Sequence, residues 1–381
     1  MTEKQILPAW RVIDITDEKG WFCGKLLADM GAVVIRVDPP GQPLPSSYFH
    51  TGKHSLTLAC DRPQGRELFN KLISNCEILI ESFRPDYLPS LGLSYSDLKD
   101  LNPGLVMASI TPFGQSGPSA LRESSGLTAS AAGGQLFLNG EPERPPLQPY
   151  GQQAYLTASL FAANGILLAM RRSKASQRGQ HIDISIQECT AGTLDHALVR
   201  YFSLGEIARR QGTEYWNEAF RVFPCRNGFV LLSIWQNWDI LVEWMASENM
   251  AGDLQDARWQ NPEERRRHTA PIVEQVRRWT LSHTAAELVE TAQLMHLPWM
   301  QVNSPQDILT NPHLKERGYW VETGDPYRPY LFPGAPLKMS ESPWGINPEL
   351  PRSGDYNREI YRNCLGLSHS EIDRLADEGI I

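Results

Sequence analysis

The side chains that most often do chemistry are spread thinly along this chain, and their spacing excludes several reactions before any element is assigned. Six cysteines, Cys23, Cys60, Cys76, Cys189, Cys225 and Cys364, form no CxxC pair and have no histidine at a zinc-like spacing. They read as reduced, mostly buried thiols. His181 falls on an apolar strand-like run and His196 on a helix-like one, where an imidazole is more often a structural group than a base. Gly20 and Gly24 follow the first strand-like run without completing GxGxxG, so a dinucleotide fingerprint is missing. Trp216, Trp235, Trp238 and Trp244 crowd one stretch and read as core packing; the alternative is an interface pocket lined by Tyr215, Trp216 and Phe220.

The elements that must position these residues follow a parallel α/β pattern. Residues 10–15 are β-rich, 21–31 are helical and end in glycine, and 32–37 are β-rich again, which is a βαβ unit. The alternation continues with a helix over 62–75, a strand over 76–82, a helix over 96–102 and a strand over 105–110. Continuous apolar runs imply strands covered on both faces, hence a doubly wound, Rossmann-like sheet. Residues 111–153, rich in Gly, Pro and Ser, read as a long structured loop. Residues 154–170 are almost uncharged but fall short of the roughly 20 residues a membrane span needs, so a buried core helix is expected. A strand over 181–186 and a long helix from Gln187 to about Ser203 follow.

Beyond that point the composition shifts. A strand over 228–234 and helices near 236–247, 263–280 and 284–295 suggest a smaller α+β domain, and the chain is irregular and Pro-rich from about Pro305 until a last helix, Ser370 to Asp377. The expected division is 1–205 for the N-terminal part of a large α/β domain, 206–320 for the small domain, and 321–381 for a linker returning to the large domain with the C-terminal helix.

With 381 residues, 41% of them hydrophobic and 21% charged, the chain has the makeup of a soluble globular protein of two or three domains. Its net charge of -8 argues against a nucleic-acid partner. The opening MTEKQILPAW has no apolar run after a basic start, so no secretory signal, no membrane partner and a cytoplasmic location are expected.

Several segments together resemble one family. LLADMGAVVIRVDPPG (26–41), TGKHSLTL (51–58), the stretch from Gly65 to Pro118, NGEPERPP (139–146), RGQHIDISIQE (178–188) and LTNPHLKERGYW (309–320) are similar, in order, to class III CoA-transferases. That group includes formyl-CoA transferase, carnitine CoA-transferase and α-methylacyl-CoA racemase. The resemblance implies a large α/β domain and a small domain in a ring-shaped subunit, two rings interlocking as a dimer, with active sites shared between chains. It also implies no permanently bound cofactor: a coenzyme A thioester is a substrate, and a carboxylic acid accepts the CoA.

In the family an aspartate attacks the thioester and carries CoA as an aspartyl thioester. That aspartate begins a helix of the type DxxxGxxxxxGIL. Here the matching stretch is YLTASLFAANGIL (155–167), which puts Tyr155 in its place and Ser159 at the internal glycine. A phenol has no carbonyl carbon with which to hold CoA, and a pKa near 10 makes it a poor nucleophile at neutral pH. No catalytic residue is therefore assigned. Glu141, Glu143 and Asp183 are the nearest acids that could substitute.

The resemblance leaves Arg36, Lys53, Phe83 and Arg84 as vestigial CoA contacts, while two positions that are often basic in the family hold Pro39 and Ser90. Asp17, Glu18, Trp21 and Phe22 stand where the family has a small AGP-type turn, two acids and two rings where an anionic cofactor would approach. Racemase chemistry needs a histidine that the loop 123–134 lacks.

The expectation is a non-catalytic subunit of a heteromeric CoA-transferase of the benzylsuccinate type, whose paralogous partner supplies the aspartate. The alternatives are an active homodimeric transferase or isomerase using another residue, and a non-enzymatic binding or regulatory protein on the same fold.

Overall fold

A computed structural model describes residues 6–44, 48–212, 214–215, 220–322, 330–342 and 344–381, with the backbone alone for 214 and 215. The chain divides into two compact units: Met1–Phe137, Leu147–Ala208 and Glu316–Ile381 form one, and Leu138–Pro146 with Arg209–Lys315 form the other.

The first unit runs β1 (Arg11–Ile15), α1 (Trp21–Asp29), β2 (Val33–Asp38), β3 (His54–Thr57), α2 (Pro63–Ile73), β4 (Ile78–Glu81), α3 (Tyr87–Ser90), α4 (Tyr95–Leu101), β5 (Val106–Thr111), α5 (Gly126–Ala132), α6 (Gln135–Leu138), α7 (Gln153–Ser176), β6 (Gln180–Ser185), α8 (Ile186–Ala191) and α9 (His196–Leu204). The strands form one parallel sheet in the order β3-β2-β1-β4-β5-β6. Alternate strand residues serve opposite faces. Val12, Val34, Ile78, Ile80 and Val106 pack with α1 and α7, and Ile13, Ile35, Leu79 and Met107 pack with α2, α4 and the C-terminal helices Asn357–Asn363 and His369–Asp377. Both faces are dry, which is why the strands read as continuous apolar runs.

The C-terminal segment is tied to the β3 edge. Asn357 accepts from Thr57 N at 2.9 Å and donates to the Thr57 hydroxyl at 2.6 Å, and the Tyr361 hydroxyl donates to Thr57 O at 2.6 Å.

Helix α7 buries Ala154, Tyr155, Ala158, Ser159, Ala162, Ala163, Ile166, Ala169 and Met170, a helical stripe of mostly small side chains that lets the helix approach α1 and the sheet closely. Its length and apolarity would suffice to cross a membrane, but half of its apolar window is buried within the protein. It ends where Gln177 adopts a left-handed φ of 55° and donates its N–H to Ser173 O.

Four expectations need correction, the first being irregular chain from about Pro305 until the last helix, a stretch that helices Pro305–Thr310, Pro312–Glu316 and Asn357–Asn363 interrupt. The region 111–153 is not all loop: α5 and α6 lie in it, α5 starting at a capping box between Ser125 and Thr128 that Gly and Ser content disguised. The long helix from Gln187 is broken into α8 and α9, because the chain turns at Gly192–Asp195 and Asp195 takes a φ of 43°. The helix over 263–280 is also two, Pro262–Arg267 and Thr269–Thr280, with His268 in a non-helical conformation between them.

The second unit holds a four-stranded antiparallel sheet around Phe220–Cys225 and Gly228–Ser233. Trp238, Trp244, Trp259, Trp279 and Trp299 fill its core, and Trp235 packs against it. Trp216 lies outside the described residues, as does the side chain of Tyr215, so the expected interface pocket with Phe220 does too.

Candidate functional site

Strand order reverses direction between β1 and β4, and in open α/β sheets ligands gather at the carboxyl ends of the strands flanking such a point. A crevice of about 470 Å³ opens there, with Ile15, Val37, Leu58, Phe83 and Leu91 as an apolar floor and Thr16, Asp17, Arg36, Asp38 and Asp61 as polar lining.

The charges beneath it are organised by Asp14, fully buried near the end of β1. Its carboxylate takes Lys53 Nζ at 2.7 Å, the Thr16 hydroxyl at 2.7 Å, and the Arg36 guanidinium at 3.6 Å. Burial alone would raise its pKa, but these two cations outweigh it and hold the carboxyl below the usual range. Helix α1 can lie over this pair only because Gly24 has no side chain; a Cβ there would collide with the Asp14 carboxylate.

This network decides where the four expected CoA contacts stand. Lys53 is 2% exposed, and its ammonium is held by Asp14 and by Trp21 O at 3.0 Å. Arg36 reaches the crevice but is paired with Asp38, Nε lying 3.0 Å from both carboxylate oxygens, and donates to Thr16 O. Phe83 lines the crevice with its ring 4.7 Å from Tyr87. Arg84 is exposed, paired with Asp86 at 2.7 Å, and lines a different cleft. The fold thus brings Arg36 and Phe83 to one crevice and leaves Lys53 and Arg84 out of it. Among the lining residues, one cation faces the three carboxylates of Asp17, Asp38 and Asp61, a poor setting for CoA phosphates.

The two rings that open α1 do not line the crevice. Trp21 lies edge-on against His50 at 4.7 Å and Phe22 against Phe49 at 5.9 Å, so both turn back onto the protein's own core, and only Asp17 keeps the position expected of a group facing the ligand. His50, fully buried, has no hydrogen-bond partner at either ring nitrogen among the described residues, and burial pushes its pKa down to about 3.

Tyr155 sits in the first turn of α7, 3% exposed. A Cβ at Gly126 of α5 would touch its ring at 3.6 Å, and one turn further on the Ser159 hydroxyl donates to Lys19 O at 3.3 Å, fixing the helix start against the β1–α1 turn. Burial, then the negative charges of Glu18 and Asp17, push the phenol up to about 12, so it stays protonated at neutral pH. Of the acids considered as substitutes, Asp183 accepts Gln115 N at 3.0 Å at the outer edge of the sheet, while Glu141 and Glu143 belong to the second unit. His181 is bonded to the Ser109 hydroxyl at 2.8 Å, and His196 is exposed beside Asp195. Among the described residues no group of three His, Cys, Asp or Glu side chains could hold a metal ion.

Residues 7–357 match the family model described as CoA-transferase family III. The chain belongs to CoA-transferase family III. The family's substrates are CoA thioesters, so the crevice and the start of α7 are the places where its chemistry would be sought. Two relatives are similar over nearly their whole length. The succinyl-CoA:(R)-benzylsuccinate CoA-transferase subunit BbsE of Thauera aromatica is 32% identical over 98% of this chain and 97% of its own. The succinyl-CoA–D-citramalate CoA-transferase of Chloroflexus aurantiacus is 30% identical, covering 95% of this chain and 94% of its own. A crystal structure of a CaiB/BaiF family protein from Brucella suis shares the fold with a TM-score of 0.86, at 24% identity over 95% of this chain and 100% of that one.

Sequence reasoning missed Asp14 and Glu81. Each is an acid near the end of an otherwise apolar strand, a placement that rarely survives unless the group is paired or used.

Proposed function

We propose that this chain is the non-catalytic subunit of a heteromeric CoA-transferase, pairing with a paralogous chain that carries the nucleophilic aspartate. The complex moves CoA from an acyl-CoA, succinyl-CoA being the donor suggested by the relatives, to a carboxylic acid of the benzylsuccinate class. One observation carries the reading: the side chain at the start of α7 is a buried, protonated phenol. A carboxylate can form an anhydride and then a thioester with CoA; a phenol can do neither, for want of an acyl carbon.

Two features support a partner. Helix α9 buries none of its residues, although Leu198, Val199, Tyr201, Phe202 and Leu204 are apolar and Phe202 is 81% exposed. Leu160, Phe161 and Leu168 of α7 are uncovered as well. Such area in a single chain fits a surface that another subunit covers. The chain called BbsE is itself termed a subunit.

Expressed alone and incubated with succinyl-CoA and candidate acids, the chain should give no turnover and no CoA-bearing protein by mass. Co-expressed with the paralogue, it should co-purify and show activity that an Asp→Asn change in the paralogue abolishes. A second reading has one observation behind it: Asp17 and Glu18 lie close enough for Tyr155 to feel their charge. Asp17 is held by Ser82 at 2.8 Å and by Lys19, leaving exposed Glu18 as a displaced nucleophile. A CoA adduct mapped to Glu18, absent in Glu18→Gln, would establish that reading and overturn the first.

A further inference from the structure

Glu81 is the last residue of β4 and 3% exposed, yet nothing in the transfer chemistry uses it. Its carboxyl accepts Phe83 N at 2.7 Å, closing the turn that carries Phe83 to the crevice floor. On its other side stands Ser109, its in-register partner on β5, whose hydroxyl favours the ionised form, and the Ser109 hydroxyl meets His181 Nε2 on β6 at 2.8 Å. The His181 ring stacks on Tyr95 at 5.4 Å. Glu81, Tyr95 and His181 line a cleft of about 280 Å³, whose wall Leu88 also lines the crevice. A carboxyl, a hydroxyl and an imidazole thus run in a row across three strands, from an outer cleft to the turn that shapes the crevice.

From this geometry we infer that Glu81 is a positioning residue whose proton, shared through Ser109 with His181, sets how firmly the Ser82–Arg84 turn is held against the crevice. The ionised carboxylate accepts both Phe83 N–H and the Ser109 hydroxyl, while His181 Nε2–H donates to the Ser109 oxygen. When Glu81 is protonated it donates to Ser109, the hydroxyl turns to His181 Nε2, and the imidazole proton resides on Nδ1. The bond to Phe83 N is then between neutral groups and weaker. Burial pushes Glu81 up to about 7, so the exchange falls near neutral pH; the Ser109 hydroxyl, Phe83 N and Lys19 favour the ionised form, and Asp17 opposes it. Arg84, Gln115, Ser94 and Ser96 complete the polar groups of the cleft.

The turn can be read without any ligand. Hydrogen exchange of the Phe83 amide in the full chain, referred to its intrinsic rate at each pH, should lose about tenfold in protection as pH falls from 8 to 6. In Glu81→Gln, which keeps an acceptor oxygen but no charge, protection should be low and independent of pH. Ser109→Ala, which leaves the charge in place, should move the midpoint to higher pH because the carboxylate loses a donor. Equal protection in wild type and Glu81→Gln across the range, or an unmoved midpoint in Ser109→Ala, overturns the inference.

Discussion

Each unit of this protein holds a carboxylate in a nest of donors, but by different means. In the sheet unit, Asp14 is fully buried and answered by two full charges, Lys53 and Arg36. In the tryptophan-rich unit, Glu248 takes the indole N–H groups of Trp244 at 2.8 Å and Trp279 at 2.7 Å, with His283 Nε2 at 3.0 Å, at the margin of a core where Trp244 and Trp299 stack at 5.7 Å. The second arrangement draws its stability from packing, and its polar bonds only finish the rings. The first depends on charges that have no substitute once one is removed, and charge networks of that kind collect where a fold has a site to shape. The difference teaches that one unit places a buried charge network beneath its crevice while the other surrounds its carboxylate with packed rings.

The largest expected effect tests the packed unit. Trp279→Ala should cost about 4 kcal/mol in urea unfolding, since it opens a cavity and strips a donor from Glu248. Lys53→Met should cost about 3 kcal/mol by leaving Asp14 short of its nearest cation. A Lys53→Met/Asp14→Leu double variant that recovers most of that loss would show that the pair serves the site rather than stability; no recovery would erase the contrast drawn above.

A pH effect comes next. Because the folded protein raises Glu81 from its ordinary value near 4.5 to about 7, it binds that proton more tightly than the unfolded chain does. The stability this contributes is complete below about pH 4.5 and is lost as pH rises through about 7. Glu81→Gln should remove that slope and exceed the wild type above pH 7 by on the order of 2–3 kcal/mol, measured as unfolding free energy against pH. The ionised form that tightens the turn would then be the less stable one. The smallest effect concerns Tyr155. Tyr155→Phe should leave the activity of the co-expressed complex within about twofold, because the proposed role gives the phenol no part in transfer; a tenfold loss would sink the proposed inertness.

Much of the sheet was legible because strands buried on both faces must be continuously apolar, as 76–82 and 105–110 are. Strand β3, His54–Thr57, was not read as a strand because its four residues mix polar and apolar types at the sheet edge. Helices α5 and α6 hid in Gly- and Ser-rich sequence, where a capping box outweighed composition. The resemblance to the family's helix motif set Tyr155 at a helix start, and it stands in the first turn of α7.

What the chain's order of residues determined by itself, then, was the alternation of strand and helix and the chemical identity of the side chain that opens α7, because both are local: a period of apolar residues and one atom type. Which charges face the crevice was decided only in three dimensions. Arg36 and Lys53 look alike as basic residues on a chain, but register places one at the rim and the other under a helix against Asp14, and the raised pKa of Glu81 follows from burial among Ser109 of β5, the Phe83 amide and the β1–α1 turn. Burial and partner geometry set the charge a group can carry, and neither exists before the sheet is assembled.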